Sequence, residues 1–286
     1  CMIVDVSMKI LIVGLGLLGG SYARGLKRFG FRIGAITKEQ KDIDYALREG
    51  IIDEGTTELD ERLIGEADLV VFALYPHIFV EWIREYQGLL KSGALLTDVT
   101  GVKRSVVYRI QDMLREDVEF IAAHPMAGRE VSGVENSTEK MFIGANYIVT
   151  PTAKNTPEAI QTCVEIGRLL GFSRVATLSP EEHDEMIGFL SQLTHCIAIT
   201  LMTCNDKENM EKFTGDSFRD LTRIARINDL MWSELFIANK DALLNQMNLF
   251  IDKFTELKNM LETEDVDGMR AMMRYSTARR EKFDKK

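Results

Sequence analysis

Cysteine, proline and long apolar runs are all scarce in this chain, and each scarcity closes off a class of protein. Only four of 286 residues are cysteine, and Cys1, Cys163, Cys196 and Cys204 form neither a Cys-x-x-Cys pair nor a His/Cys cluster at zinc spacing. Neither a disulfide framework nor a metal site is expected, and a reducing cytoplasm suits these thiols best. No uninterrupted apolar run approaches the roughly 18 residues of a membrane span, and no basic stretch followed by an apolar segment marks a secretory signal. A soluble, unexported, cytoplasmic protein without a membrane partner is expected. Basic residues are also in the minority: 35 Lys and Arg against 44 Asp and Glu give a net charge of −9, which repels a nucleic-acid backbone or an anionic bilayer. The tail from Arg274 to Lys286 carries interspersed acids and reads as a solvated helix end, so no nucleic-acid partner is expected. Residues Cys1 to Ser7 precede a second methionine, Met8, and are set aside from the functional reading.

What is present changes character near residue 179. At 286 residues and 45% hydrophobic, the chain is long enough for two cores, since single cores stop growing at roughly 250 to 300 residues. From Lys9 to about Leu178, short β-branched or apolar runs alternate with amphipathic stretches, the pattern of strands joined by crossover helices. The strand candidates are Lys9–Val13, Arg32–Ile36, Asp68–Leu74, Ala94–Val99, Val118–Ala122, Asn146–Thr150 and Arg174–Leu178. Their near-continuous hydrophobicity suits one parallel sheet covered on both faces. After Ser179-Pro180 no further proline occurs and helical periodicity takes over: Glu181 to about Cys204, Phe218–Ile227, Leu230 to about Glu262, and Val266–Lys282. A helix of roughly 30 residues spans about 45 Å, more than a domain this small buries alone, so a homodimer formed through the helical region is expected.

Gly14-Leu15-Gly16-Leu17-Leu18-Gly19 follows a predicted strand and opens a predicted helix, the context that the G-x-G-x-x-G dinucleotide fingerprint requires. The first glycine permits the tight turn, the second lets main-chain N–H groups approach a pyrophosphate, and the third allows close helix–strand packing; the helix N-terminus adds partial positive charge. The expected fold is therefore α/β, a Rossmann-type parallel-sheet domain over 1–178 followed by an all-helical dimerisation domain over 179–286. A site specific for NAD ends its second strand in Asp or Glu, whereas this one ends in Thr37-Lys38. A hydroxyl and a cation there favour NADP over NAD, unless Lys38 is simply an exposed loop residue. The expected cofactor-binding set is Gly14, Leu15, Gly16, Leu17, Leu18, Gly19, Thr37, Lys38, Leu74 and Asp98.

The segment Ala122-Ala123-His124-Pro125-Met126-Ala127-Gly128 puts a histidine immediately after an apolar strand, at the sheet edge where open α/β folds hold ligands. A histidine so placed is a general-base candidate. This segment, together with Thr97-Asp98-Val99-Thr100-Gly101-Val102-Lys103 and Ser217-Phe218-Arg219-Asp220-Leu221-Thr222-Arg223-Ile224-Ala225, closely resembles the prephenate/arogenate dehydrogenases of tyrosine biosynthesis, from about Met8 to the last helix. The resemblance implies oxidative decarboxylation of prephenate or arogenate: His124 accepts the proton of the ring hydroxyl while the ring carbon delivers hydride to the nicotinamide, and loss of CO2 makes the ring aromatic. It also implies Arg223 as the cation that binds the anionic substrate, with Asp220 orienting it, and His195, Glu130 and Trp232 near the substrate. Read without the resemblance, Arg219 and Arg223 are equally a salt-bridged helix surface, His195 a helix-core histidine and Trp232 a packing residue.

Three departures from the family's pattern stand in the sequence. Gly101 occupies a position that is usually serine, whose hydroxyl helps to hold the substrate, so Thr100 next to it becomes the candidate substitute. Arg129 stands where a small hydroxyl residue is commoner, and Gln192 and Thr194 replace the usual histidine and proline. Two other readings are open. A β-hydroxyacid dehydrogenase or ketopantoate reductase would use a helical lysine such as Lys240, and a non-catalytic NADP-binding protein would use the glycine turn alone.

Overall fold

The computed structural model describes residues 4–129 and 131–284 of the chain. Six parallel strands, β1 (Lys9–Val13), β2 (Arg32–Ile36), β3 (Glu54–Thr56), β4 (Leu69–Phe72), β5 (Leu95–Asp98) and β6 (Glu119–Phe120), form a sheet in the order β3-β2-β1-β4-β5-β6. Helices α1 (Leu17–Lys27), α2 (Gln40–Arg48), α3 (Glu61–Glu66), α4 (Pro76–Tyr86) and α5 (Arg104–Met113) supply the crossovers. Side chains alternate across a strand, so Ile10 and Ile12 enter one core with Leu69 and Val71, while Leu11 and Val13 enter another with Val70 and Phe72. Both faces being covered explains why these strands are apolar at every position. The strand order reverses between β1 and β4, which opens a crevice at their carboxyl ends.

The expectation of a single sheet is corrected. β7 (Ala122–Met126), β8 (Asn146–Thr150) and β9 (Arg174–Thr177) form a separate three-stranded sheet in which β7 and β8 are antiparallel, with α6 (Pro157–Leu169) between β8 and β9. The expected strand Val118–Ala122 divides at Ile121: its first half pairs with β5, and the chain then turns to pair with β8. His124 therefore lies within a strand, opposite Ile148, rather than after one. Pro125 is tolerated beside it because β7 is the edge of its sheet and needs no second ladder. β3 escapes the sequence reading because Glu54-Gly55-Thr56 carries no apolar alternation.

The helical half begins with a capping box. Ser179 Oγ accepts the Glu182 N–H at 3.2 Å, the Glu182 carboxylate accepts the Ser179 N–H at 2.8 Å, and Pro180 occupies the first helical position. This starts α7 (Pro180–Ile187), which runs through a π-helical segment (Gly188–Leu193) into α8 (Thr194–Thr203). The whole helix, Pro180–Thr203, is long and apolar enough by length and composition to cross a bilayer, with an 18-residue window of mean hydropathy 1.4 that is only 28% buried. Asp184, Glu185, Gln192 and His195 break its apolar series, so it contains no uninterrupted apolar run of that length.

Next come α9 (Asp216–Thr222), ending in a 3-10 turn over Arg223–Ala225, then α10 (Asp229–Ala238), α11 (Lys240–Glu262) and α12 (Val266–Arg280). The single helix expected from Leu230 to Glu262 is broken at Asn239, whose φ and ψ of −117° and 27° end α10. The chain forms two compact units, Cys1–Asn239 and Lys240–Lys286. Helices α7 to α10 share the first with both sheets, so the spatial division lies beyond the compositional change at residue 179.

Candidate active site

The glycine turn after β1 is shaped by sterics. Gly14 has φ of +94°, and a Cβ there would lie 2.4 Å from the Ala73 carbonyl oxygen; at Gly19 it would lie 2.0 Å from the Gly14 oxygen. Both positions demand glycine for packing alone. Gly16 differs. It is the N-cap of α1 without a side-chain cap, and a Cβ there would meet nothing within 4 Å. Open space thus lies in front of the main-chain N–H groups of Leu17 and Leu18 at a helix N-terminus, which is what a pyrophosphate requires. Thr37, at the end of β2, accepts the Leu15 N–H through Oγ1 at 3.2 Å, tying that strand end to the turn, and Lys38 beside it is exposed. A methyl carbon of Leu74 would touch a Gly14 Cβ at 3.0 Å, so Leu74 walls the same turn. These residues fit a dinucleotide.

Asp98, expected beside the cofactor, is corrected by its surroundings. Its carboxylate has no exposure and binds the equally buried Lys103 ammonium through both oxygens, at 2.8 and 2.9 Å. It also accepts the N–H of Ala123 and of Thr100, each at 3.1 Å, and the Thr100 hydroxyl. A buried charge persists only when paired and hydrogen-bonded, and Asp98 spends itself on that task, fastening β7 to the end of β5. Thr100 is corrected for the same reason: its buried hydroxyl faces Asp98, the Val102 carbonyl and Lys103 Nζ, so its one hydrogen is already committed and is not offered in place of a serine at position 101.

His124, half-buried on β7, is the centre of a chain of hydrogen bonds that the sequence did not disclose. Its Nδ1 lies 2.8 Å from Nε2 of the fully buried His183, whose Nδ1 lies 2.8 Å from Oδ1 of Asp184. The Asp184 carboxylate in turn accepts the N–H of Lys103 at 2.8 Å and of Arg104 at 2.9 Å, at the first turn of α5. Desolvation pushes His124 well below the ordinary histidine value, and His183 and the Lys103 cation push the same way. His183 is also lowered, by desolvation first, with Asp184 opposing. Both rings are therefore neutral at physiological pH. The nearest atoms to a Cβ placed on Gly101 are Leu235 at 3.6 Å and His124 Nε2 at 3.8 Å, so Nε2 borders the space that Gly101 leaves. The one signal for His183 and Asp184 in the sequence is their place just after the capping box, and that signal names a helix start rather than a site.

Helix α10 brings up the other wall. Asn239 donates to the Asp184 carbonyl at 2.8 Å and to Gln192 Oε1 at 2.7 Å, and Gln192 Nε2 donates to the Leu235 carbonyl at 3.1 Å. Gln192, a departure from the family's pattern, thus joins the π-helical segment to α10. Trp232, one turn before Leu235, stacks on His195 with ring centroids 3.7 Å apart. His195 Nδ1 donates to the Ser191 carbonyl at 2.8 Å. Trp232 and Arg223 line one open cavity of about 850 Å³, together with Ile199, Met202 and Phe236. Asp220 is exposed on α9, and Arg223 opens the 3-10 turn that follows that helix. Glu130 lies outside the described residues.

Residues 22–173 match the family described as prephenate dehydrogenase, nucleotide-binding domain, and residues 179–275 the family described as prephenate dehydrogenase, dimerization domain. The prephenate dehydrogenase of Bacillus subtilis (strain 168) is 30% identical over 269 residues, which span 91% of this chain and 72% of that protein. The cyclohexadienyl dehydrogenase of Zymomonas mobilis is 28% identical over 266 residues, 90% of either chain. The crystal structure of prephenate dehydrogenase from A. aeolicus in complex with hydroxyphenyl propionate and NAD+ matches with a TM-score of 0.90 at 30% identity, over 97% of this chain and 98% of that one.

Proposed function

The chain belongs to the prephenate dehydrogenase family, and from that premise we propose that it catalyses the NAD(P)-dependent oxidative decarboxylation of prephenate or arogenate, to 4-hydroxyphenylpyruvate or tyrosine. The observation that carries this reading is His124, a neutral imidazole whose Nε2 borders the space over Gly101. The bound nicotinamide supplies the hydride acceptor. His124 takes the proton of the ring hydroxyl, a step that contributes on the order of 10² to 10⁴ in rate when base and proton are aligned. Arg223, lining the cavity beside Trp232, binds a substrate carboxylate, and the stacked His195 and Trp232 wall the ring. The electron pair released with CO2 then closes the aromatic system. The reading with Lys240 as the base leaves the whole His124 network without a task, and a non-catalytic NADP-binding protein would need no such network.

The test is direct: purified protein is incubated with prephenate or arogenate and with NAD or NADP, and the absorbance of the reduced nicotinamide is followed. Turnover in at least one of the four combinations is expected, and none in any would overturn the proposal. For the cofactor, Thr37 and Lys38 favour NADP; Thr37→Asp should move the preference toward NAD, and unchanged selectivity would remove these residues from the ribose site. The protein acts as a cytoplasmic homodimer, with residues 1–178 holding the cofactor and 179–286 the dimer contacts. The exposed Leu249, Ile251 and Phe254 on α11 and the thinly covered Pro180–Thr203 helix support that assembly.

A further inference from the structure

The carboxylate of Asp184 accepts at both oxygens, from the main-chain N–H of Lys103 and of Arg104. Sitting against the N-terminus of α5, it enters the chain of bonds as an acceptor only. Hydrogen-bond direction then propagates. His183 Nδ1, 2.8 Å from Asp184 Oδ1, must carry the hydrogen. A neutral imidazole has one N–H, so His183 Nε2 carries a lone pair, and the 2.8 Å contact to His124 obliges His124 Nδ1 to donate. His124 is left with its lone pair on Nε2, the nitrogen that borders the space over Gly101.

We propose that His183 and Asp184 are positioning residues that lock His124 in the Nδ1–H tautomer, so that Nε2 is the proton acceptor, and that they share the charge once Nε2 is protonated. The inference rests on the function proposed above. The proton leaves the substrate hydroxyl for His124 Nε2; the resulting imidazolium keeps its Nδ1–H bond to His183, which keeps its own bond to the anionic Asp184. No other reactant is needed. The titratable groups facing these two rings are Asp184 on α7, Lys103 at the start of α5 and Asp98 on β5. Lys103 and burial oppose the imidazolium, while Asp184 favours charge on His183 and fixes His183 Nε2 as the acceptor that faces His124 Nδ1. The arrangement extends the logic of a histidine held in one tautomer by a buried carboxylate, with a second imidazole inserted between them.

The tautomer is read directly by nitrogen-15 NMR of histidine-labelled protein, a measurement tractable with four histidines in the chain and assigned by difference against His124→Asn. At pH 7.5, His124 should show a protonated Nδ1 and a bare Nε2; a protonated Nε2 would overturn the proposal. In the same samples, His183→Leu should lower kcat by roughly 10²-fold while cofactor binding, followed by fluorescence, stays within about twofold. His183→Gln, whose carbonyl can still accept from His124 Nδ1, should recover most of that loss. Equal losses in both, with cofactor still bound, would reduce His183 to a packing residue. Should the leucine variant not fold, Asp184→Asn serves: removing the anion from the chain should lower kcat by on the order of tenfold or more with cofactor binding within about twofold, and full kcat in a folded variant would contradict the proposal. Absence of turnover in wild type would sink the assigned reaction while leaving the tautomer result standing, so the two failures are distinct.

Discussion

The glycine turn after β1 and the centre around His124 belong to one compact unit, yet they are made of opposite materials. The turn is six consecutive residues that act through main-chain atoms, and its requirements are spatial: Gly14 and Gly19 have no room for a Cβ, and Gly16 has room that a ligand would use. The centre around His124 is built from side chains at 98, 103, 124, 183 and 184, delivered by β5, β7, α7 and the start of α5. Its requirement is completeness, because each polar group removed strands a buried partner. A site of the first kind fails by collision and one of the second kind by an unpaid desolvation. Substitutions in the two regions should therefore separate binding, stability and chemistry.

The largest effect falls on chemistry alone. His124→Asn should lower kcat by about 10³-fold or more, with cofactor affinity within about twofold by fluorescence titration; near-normal kcat would show that the base lies elsewhere. Next in size is an effect on folding. Lys103→Met leaves the Asp98 carboxylate at zero exposure without its cation, a loss of about 3–5 kcal/mol in urea denaturation. A change below about 1 kcal/mol would mean that the pair behaves like a surface salt bridge. Smaller again is a pure binding effect in the other region: Gly16→Ala should weaken the cofactor by on the order of tenfold, about 1.4 kcal/mol, and leave the melting temperature unchanged because its Cβ meets nothing. A fall in melting temperature would break the contrast with Gly14 and Gly19.

The smallest expected effect is a pH dependence of stability. His124 and His183 both have folded-state values below the ordinary 6.5. As pH falls below that value, the unfolded chain binds protons that the folded chain refuses, so stability is full above it and declines below it. Urea midpoints at pH 7.5 and 5.5 should show this decline, and it should shrink in His183→Gln. A midpoint independent of pH in wild type would deny that the rings are held neutral.

The same contrast decides what could be read from the sequence. The glycine turn is local, so its chemistry is written in consecutive letters, and β1, β2, β4 and β5 follow from apolar runs that both cores demand. His124 was recognisable by its position after an apolar stretch, although the strand in fact continues through it to Met126. The separate sheet of β7, β8 and β9 was not legible, because a buried parallel strand and a buried antiparallel one present the same apolar letters. Nor were the burial of Asp98 with Lys103, the break of the long helix at Asn239, or the linkage through His183 and Asp184. These depend on contacts between residues as many as 81 positions apart, as between Lys103 and Asp184, which no periodicity encodes. Thr100 shows the converse error, in which a plausible neighbour in sequence turns its side chain to another partner.

The most direct measurement of the central claim, that a neutral His124 is the proton acceptor, is the pH dependence of kcat/KM for wild type. Burial and the Lys103 cation depress the basicity of His124, so the acid limb should break clearly below 6.5, the ordinary histidine value. A break at or above that value, or the same break persisting in His124→Asn, would contradict the account.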